Sequence, residues 1–280
     1  MCTKDLTAII PVRIDSSDRL RNINYVVKFL LNFYDCKIII KEVDDTQKLF
    51  LDSNPRITYM FEKTDNTSFF HRTKILNDML QMVTTKYVVN HDGDILIPQS
   101  NIEKSLKLLE HGYDMVLPYE IGSIILHWPL SEWHLDQLTT SKDTLFLEKL
   151  IEDQKRIDLK GGLKVFEELG QNNVWTIGGV QFFKTELYKK AFGENEEFID
   201  WGPEDQERGY RFIKLGYKLG FIDTGTICHI HHKESIATDS KNEYNKKNHL
   251  LWDYIKTIKS KDDMINYMAS LPYTKERNFG

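Results

Sequence analysis

Apolar and polar positions alternate along the chain in blocks that predict strands and helices in turn. Leu6–Val12 and residues 37–42 are short, nearly continuous apolar runs, which are typical of buried strands in a sheet covered on both faces. Between them, apolar residues recur at helical spacing over 20–31, after candidate N-cap residues at 15–18. This order of strand, helix and strand predicts two parallel strands joined by a right-handed crossover.

The same alternation continues along most of the chain. Further strands are predicted at 57–61, 87–89, 114–118, 174–183 and 221–230, and further helices at 69–83, 100–112, 143–155, 185–188, 203–215 and 248–258. Ser100 and Glu103 match a capping box, and Gly216 marks the end of the helix that follows Pro203. The pattern loosens between residues 119 and 171, which we interpret as an insert. No linker divides the chain, so one α/β domain is predicted.

One of these strands leads into a pair of carboxylates, Asp92 and Asp94, with a glycine between them. If the strand continues through this stretch, both carboxylates point to the same side of the sheet. Two carboxylates held together need a cation, and oxygen ligands favour Mg²⁺, Mn²⁺ or Ca²⁺. An ordinary Asp-Gly turn is the alternative, and the stretch by itself does not decide between them.

Composition narrows the range of functions. A chain of 280 residues with 41% hydrophobic content can form one large α/β domain or two small ones. Its formal net charge of −5 argues against a nucleic-acid-binding protein, which needs a basic face. No apolar run reaches the length of a membrane span, and the first residues lack the apolar segment of a signal peptide. The three cysteines match no zinc spacing, so a cytoplasmic location is expected, with peripheral association at the inner face of a membrane left open.

Six motifs occur in an order that resembles the β-1,4-galactosyltransferase family. They are the segments 11–13, 70–77, 92–94, 178–180 and 201–205 and the histidine cluster at 229–232. The resemblance covers residues 7–232 apart from the insert, and it extends to bacterial GT-A enzymes that build capsule and surface polysaccharides. Pro203 and Gln206 depart from the family pattern, so the acceptor contacts can differ.

The resemblance implies an α/β protein with the GT-A fold, in which helices flank a mostly parallel central sheet. It implies a catalytic domain at 1–235 and a C-terminal helical extension at 236–280. The implied activity is inverting, metal-dependent transfer of a hexose or N-acetylhexosamine from a UDP-sugar to a glycan or glycolipid hydroxyl, with Mn²⁺ or Mg²⁺ as cofactor. Thr176 falls where a small residue admits an N-acetyl group, which favours UDP-N-acetylhexosamine.

The cation of such an enzyme neutralises the charge that grows on the diphosphate leaving group. Asp94 is the first-choice ligand, and Asp92 either binds the metal through water or holds the donor ribose. His229 and His231 share one face of a strand, whereas His229 and His232 match the three-residue ligand spacing of the family. The sequence leaves open which of the three histidines binds metal.

Two acidic residues, Glu204 and Asp205, are predicted at the start of a helix, where the helix dipole and free N–H groups keep a carboxylate ionised. A general base needs such an ionised carboxylate. Acids that only complement the helix dipole are the alternative. Trp201 favours catalysis, because an indole stacks on a sugar face. The resemblance implies that Asp205 is the base and that Glu204, Trp201 and Gly202 contact the acceptor.

A further group of residues is predicted to bind the donor. Glu42 and Asp44 end a strand where α/β folds bind nucleotides, and Gly179 lets the backbone approach the donor sugar. The full set predicted for the donor is Pro11, Arg13, Glu42, Asp44, Arg72, Lys74, Asp92 and Gly179.

Two other functions compete with this one. A nucleotidyltransferase that makes the activated sugar also uses paired carboxylates and Mg²⁺, but it is expected to carry a glycine-rich first loop, and residues 11–16 contain no glycine. A non-catalytic glycan-binding relative is the alternative outside enzymes. The joint presence of Asp94, Asp205 and the histidines argues against it.

Overall fold

The computed structural model describes residues 3–120, 126–128, 130–140, 145–151, 177–232 and 243–279. The strands are β1 (Leu6–Val12), β2 (Lys37–Asp44), β3 (Ile57–Lys63), β4 (Tyr87–His91), β5 (Ile95–Leu96), β6 (Met115–Leu117), β7 (Leu126–Trp128), β8 (Val180–Lys184), β9 (Leu219–Phe221) and β10 (Cys228–Ile230). The helices are Ser17–Phe33, Arg72–Met82, Gln99–Glu110, Glu132–Thr140, Thr185–Lys190, Glu204–Leu215, Glu243–Ile255, Lys261–Ser270 and Pro272–Glu276. Residues 146–151 are also helical, and the rest of the helix predicted at 143–155 lies partly outside the described residues.

Seven strands form the main sheet, in the order β3-β2-β1-β4-β8-β6-β9. β1 runs parallel to β2 and β4, and β2 runs parallel to β3, whereas β8 is antiparallel to both β4 and β6. Every residue of β1 is buried, as expected for a strand covered on both faces. The predicted mostly parallel sheet is therefore confirmed, and the carboxyl ends of β1 and β4 lie side by side.

A second sheet of three strands has the order β5-β10-β7. In the antiparallel pair of β5 and β10, His229 lies opposite Ile95, one residue after Asp94. The prediction of one strand over 221–230 was wrong, because β9 ends in the main sheet and β10 begins in the second one. Gly225, with a φ of 130°, allows the chain to turn between the two.

The two carboxylates after β4 do not continue the strand, which corrects the expectation that they share one face. The Asp92 N–H donates to the carbonyl oxygen of Gly179 at 3.0 Å. The Ile95 N–H then donates to the Asp92 carbonyl oxygen at 3.4 Å, which closes a tight turn. Asp92 and Asp94 therefore leave the turn toward different partners.

Helix ends follow local chemistry in two of three predicted places. Ser16 is the N-cap of the first helix, and its Oγ accepts a hydrogen bond from the Arg19 N–H. Gly216 ends the Glu204–Leu215 helix in the left-handed conformation, with a φ of 88°. The prediction of a capping box at Ser100 and Glu103 was wrong, because the Gln99–Glu110 helix begins after Pro98 and has no side-chain cap.

The C-terminal helices pack against the rest of the protein. Asn248 Nδ2 donates to the carbonyl oxygens of Ile199 and Trp201, at 2.8 and 3.0 Å. Arg277 forms ion pairs with Asp78 and Glu196. Buried residues of these helices belong to the same hydrophobic core as the strands. The predicted boundary at 235/236 lies outside the described residues. None of the helices in the described part of the chain is both long enough and apolar enough to span a membrane.

Candidate active site

A cavity of about 680 Å³ lies at the carboxyl ends of β1 and β4. Clefts at this edge of an α/β sheet commonly bind ligands, because loops from several strands meet there. The cavity brings together most of the predicted site residues, namely Pro11, Arg13, Arg72, Asp92, Asp94, Gly179, Trp201, Glu204, Asp205, His229, His231 and His232.

Two predicted donor-binding acids lie away from this cavity. Glu42 is fully buried, and its carboxylate accepts hydrogen bonds from the N–H groups of Lys48 and Leu49. Asp44 Oδ2 accepts one from the Ile14 N–H at 3.0 Å. Both carboxylates therefore hold loops at the edge of the sheet. They lie away from the cavity because β2 is one strand farther from it than β1.

Two more predicted contacts are also outside the cavity lining. Lys74 is exposed and donates to Asp78, four residues along the same helix. Gly202 lies against the C-terminal helices, where a side-chain carbon would come within 2.7 Å of Asn248. Packing against Asn248 therefore requires a glycine at position 202. This requirement explains the residue without any contact to an acceptor.

Asp94, His229 and His232 form a group that fits a divalent metal ion. His229 Nε2 lies 3.4 Å from Asp94 Oδ1, and His232 Nε2 lies 3.1 Å from Asp94 Oδ2. Their potential ligand atoms all lie within 4.8 Å of one another. Asp94 Oδ1 is buried and accepts no hydrogen bond from the described residues. A buried carboxylate oxygen beside two imidazoles is a donor set that suits a first-row transition metal.

The structure separates the other two predicted ligands from this group. The side chain of His231 is exposed, and its carbonyl oxygen accepts hydrogen bonds from Arg21 and Asn22. Asp92 Oδ1 lies 2.7 Å from Arg72 Nη2. The geometry therefore favours His229 and His232 as the histidine pair over His229 and His231, because the chain turns after β10 ends.

Asp94 is held in its ionised form. Burial by itself would raise the pKa of its carboxyl group. The hydrogen bond from His232 and the charges of His229, His232 and Arg19 lower that pKa below its usual value. An ionised carboxylate is the form that binds a metal.

Arg72 lies close to three carboxylates that line the cavity. Besides its ion pair with Asp92, its Nη1 lies 3.9 Å from Glu204 Oε1 and 3.8 Å from Asp205 Oδ1. Burial alone would lower the pKa of Arg72, but these carboxylates raise it above its ordinary value. Arg72 therefore remains charged and links Asp92 to the acidic pair.

Glu204 differs from the expectation that both acids stay ionised. Two causes raise the pKa of Glu204 to about 8. Its burial has the largest effect, and the negative charge of Asp205 has the next largest. Arg72 offsets part of this effect. Glu204 Oε2 is buried and makes no hydrogen bond with the described residues. With a pKa of about 8, Glu204 holds a proton at neutral pH.

Two glycines allow the close packing around Asp205. A side-chain carbon on Gly178 would lie 2.9 Å from Asp205 Oδ2, which is too close for a carbon and an oxygen in contact. Gly179 has a φ of 82°, a conformation that favours glycine, and its carbonyl oxygen holds the Asp92 N–H. The glycines thus bring the β8 end against both Asp92 and Asp205.

Comparison with known proteins gives a family match over part of this site. Residues 167–233 match the model of the N-terminal domain of galactosyltransferase. This range contains the glycine pair, the acidic pair and the histidine cluster. The match supports a galactosyltransferase-like glycosyltransferase. No curated protein matches this chain by sequence.

Comparison with solved structures supports the fold. GalNAc-T7, solved with UDP, GalNAc and Mn²⁺, superposes with a TM-score of 0.55 and 12% identity, covering 90% of this chain and 49% of the other. The chain thus spans about half the length of that protein. The catalytic domain of Drosophila β1,4-galactosyltransferase 7, solved with xylobiose, gives a TM-score of 0.48 and 17% identity, covering 87% of this chain and 79% of the other. The GT-A fold that the sequence predicted is confirmed.

Sequence reasoning missed a cation beside the group of Asp94, His229 and His232. Arg19 Nη1 lies 3.6 Å from Asp94 Oδ2, and its Nε lies 3.1 Å from Asp15 Oδ1. Both residues line the cavity. Asp15 and Arg19 are four residues apart, which is the spacing of a common surface ion pair at a helix start. The sequence therefore contained no signal that distinguishes such a pair from a cation that lies beside Asp94.

Arg13 and Trp201 also line the cavity. Arg13 Nη1 donates to the carbonyl oxygens of Thr67 and Phe69, at 3.0 and 2.8 Å, and its guanidinium lies 5.4 Å from the centre of the Phe70 ring. Arg13 therefore anchors the loop before the Arg72–Met82 helix. Trp201 is 49% exposed, which leaves its indole accessible to a ligand.

The raised pKa of Glu204 predicts that the stability of the protein depends on pH. Because this pKa is raised to about 8 in the folded protein, from an ordinary value of 4.5, the folded state binds more protons between these values. Stability is therefore lost as the pH rises through this window.

Glu204→Gln removes the effect. Between about pH 5 and about pH 9, the free energy of unfolding of this variant should therefore rise by up to about 4 kcal/mol relative to that of the parent. Urea unfolding at both pH values, with EDTA present, measures the difference. A difference between variant and parent that does not change with pH contradicts the assignment.

Proposed function

We propose that this chain is an inverting, metal-dependent glycosyltransferase that moves a hexose or N-acetylhexosamine from a UDP-sugar to a glycan or glycolipid hydroxyl. The galactose and N-acetylgalactosamine types are the proposed donors, and surface polysaccharide synthesis is the proposed setting. The observation that carries the proposal is that one cavity contains both the group of Asp94, His229 and His232 and the acidic pair that ends in Asp205. GalNAc-T7, which shares the fold, was solved with a UDP nucleotide and Mn²⁺.

Asp94, His229 and His232 would hold the metal. Their mixture of oxygen and nitrogen donors favours Mn²⁺ over Mg²⁺, which prefers oxygen ligands. When bound, the ion neutralises charge on the diphosphate leaving group. Arg72 keeps Asp92 oriented, and the remaining Asp92 oxygen is proposed to hold the donor ribose.

Asp205 is the proposed general base. Its carboxylate accepts the proton of the acceptor hydroxyl while that oxygen forms a bond to the anomeric carbon and the bond to the UDP oxygen breaks. Attack on the face opposite the leaving group inverts the configuration. Glu204, which holds a proton at neutral pH, is a poor base but can donate a hydrogen bond to the acceptor. Trp201 provides an accessible ring for the acceptor sugar.

Donor selectivity beyond this class rests on the sequence. Thr176, which favours an N-acetylated donor, lies outside the described residues, so that part stays a prediction. Arg13, Pro11 and Gly179 line the cavity and are proposed donor contacts. With a glycolipid acceptor, the enzyme would act at a membrane surface as a peripheral protein. A cytoplasmic location remains part of the proposal.

The test is a donor panel. We expect the protein to consume a UDP-hexose or a UDP-N-acetylhexosamine in the presence of Mn²⁺, with release of UDP and loss of activity in EDTA. GDP-sugars serve as the matched control and should be consumed at least about tenfold more slowly. Release of pyrophosphate from UTP and a sugar 1-phosphate would instead identify a nucleotidyltransferase. Glycan binding without consumption of any donor would identify a binding protein.

A further inference from the structure

A fully buried arginine lies directly behind the proposed base. Arg208 Nη1 donates to Asp205 Oδ1 at 2.7 Å. Its other nitrogens face away from the cavity: Nε and Nη2 donate to the two carboxylate oxygens of Glu194, both at 2.6 Å. One guanidinium therefore joins Asp205 to a second carboxylate through three hydrogen bonds. Bidentate pairs of this kind fix orientation as well as charge.

Glu194 is in turn held by buried partners. Its Oε1 accepts hydrogen bonds from Asn90 Nδ2, at 3.0 Å, and from the Tyr188 hydroxyl. Its backbone N–H donates to Asn77 Oδ1 at 2.7 Å. These partners lie on β4 and on the two helices at 72–82 and 185–190, all of which belong to the core. Glu194 thus fixes Arg208 relative to the sheet that carries the metal-site turn.

The same arrangement controls charge. An unpaired arginine beside a general base would stabilise the ionised carboxylate and make it a weaker proton acceptor. Glu194 neutralises Arg208 within the protein, since the two buried groups form an ion pair. Arg208 can therefore give Asp205 a directed hydrogen bond while adding little net positive charge.

The two oxygens of Asp205 are in different surroundings. Oδ1 is held by Arg208 and lies 3.4 Å from Gln181 Nε2. Oδ2 lies beside Gly178, which lines the cavity, and no described residue donates a hydrogen bond to it. Rotation of the carboxylate would break the bonds to Oδ1. The contacts therefore hold one oxygen and leave the other for a ligand.

We propose that Arg208, fixed by Glu194, is a positioning residue that orients Asp205 so that Oδ2 receives the proton of the acceptor hydroxyl. The inference rests on the proposed function, because it assigns a role toward the proposed base. Arg208 does not line the cavity, so it acts only through Asp205.

The same helix contains a matched pair for comparison. Arg211 and Glu207 are both buried, with Arg211 Nε 2.7 Å from Glu207 Oε1. Arg211 also donates to the carbonyl oxygen of Gly193 at 2.9 Å. Neither residue of this pair lines the cavity. Loss of this ion pair should disturb the helix as much as loss of the first pair, but without a direct effect on Asp205.

The experiment compares two double variants. Arg208→Met with Glu194→Gln removes both charges together, so no unpaired charge stays buried. Arg211→Met with Glu207→Gln does the same to the second pair. For the first variant we expect kcat for transfer to fall about 10- to 100-fold, while the donor KM and the Kd for UDP with Mn²⁺ stay within about twofold of the parent. For the second we expect all three values to stay within about twofold, whatever the change in Tm.

A parent-like kcat in the first variant would overturn the inference, and so would an equal loss of kcat in the second. A loss of UDP binding in the first variant would also overturn it, since that indicates a structural role. A crystal structure of the first variant without ligands gives a readout that does not depend on turnover. We expect the Asp205 carboxylate to rotate or to occupy two conformers, and an unchanged single conformer would contradict the inference. Failure of the proposed function would appear separately, as a parent protein that consumes no donor.

Discussion

Asp94→Ala should abolish metal-dependent donor binding and, with it, transfer. The substitution removes the one carboxylate of the proposed metal group and leaves two imidazoles. Even the loss of a residue that only orients a ligand costs metal affinity about 10- to 100-fold, so the loss of the ligand itself should cost at least about 100-fold. Without the ion, the charge on the leaving diphosphate is not neutralised. Calorimetric titration of UDP with Mn²⁺ measures the effect.

Three histidine variants serve as internal comparisons for this result. His229→Ala and His232→Ala should each weaken binding of UDP with Mn²⁺ by about tenfold or more, because both imidazoles lie beside Asp94. His231→Ala should bind as the parent does, since its exposed side chain lies outside that group. The metal assignment would be wrong if the Asp94 variant bound UDP with Mn²⁺ as tightly as the parent.

Asp205→Asn should slow the chemical step by about 10²–10⁴-fold. Asparagine keeps the size of the side chain and an oxygen that can accept the Arg208 hydrogen bond, but it cannot take a proton from the acceptor. Donor and metal binding should hardly change, since the proposed metal ligands lie on other segments. Single-turnover measurements at saturating donor and acceptor isolate this step.

An acid that only complements the helix dipole would behave differently. Its loss would cost about 1 kcal/mol of stability or less and leave turnover intact. Thermal unfolding of the Asp205 variant separates the two cases. If kcat of Asp205→Asn equals that of the parent, Asp205 is not the base, and Glu204 becomes the alternative only above the pH at which it loses its proton, near its pKa of about 8.

Local patterns were sufficient for the order of elements. Apolar runs and helical spacing located β1, the Ser17–Phe33 helix and β2, because burial of a strand or helix face depends on neighbouring positions in the chain. Helix ends at Ser16 and Gly216 were also readable, since a cap depends on one side chain or one backbone conformation. The capping box at Ser100 failed because Pro98 starts that helix first.

Which histidine joins Asp94 was decided by tertiary structure. The sequence offered two spacings for His229, and both were consistent with a site. The choice follows from the pairing of β5 with β10, more than a hundred residues apart in sequence, and from the turn after Ile230. Spacing along a chain does not contain the register between distant strands.

The chemistry of the acidic pair was also decided by tertiary structure. The sequence placed Glu204 and Asp205 correctly at a helix start, and the helix dipole alone predicted two ionised carboxylates. Burial and the mutual charge of the pair give Glu204 a proton, and Arg208 binds Asp205 instead. The sequence determines which groups are present, but their ionisation and orientation depend on solvent exclusion and on partners from distant segments, such as Glu194 and Arg72.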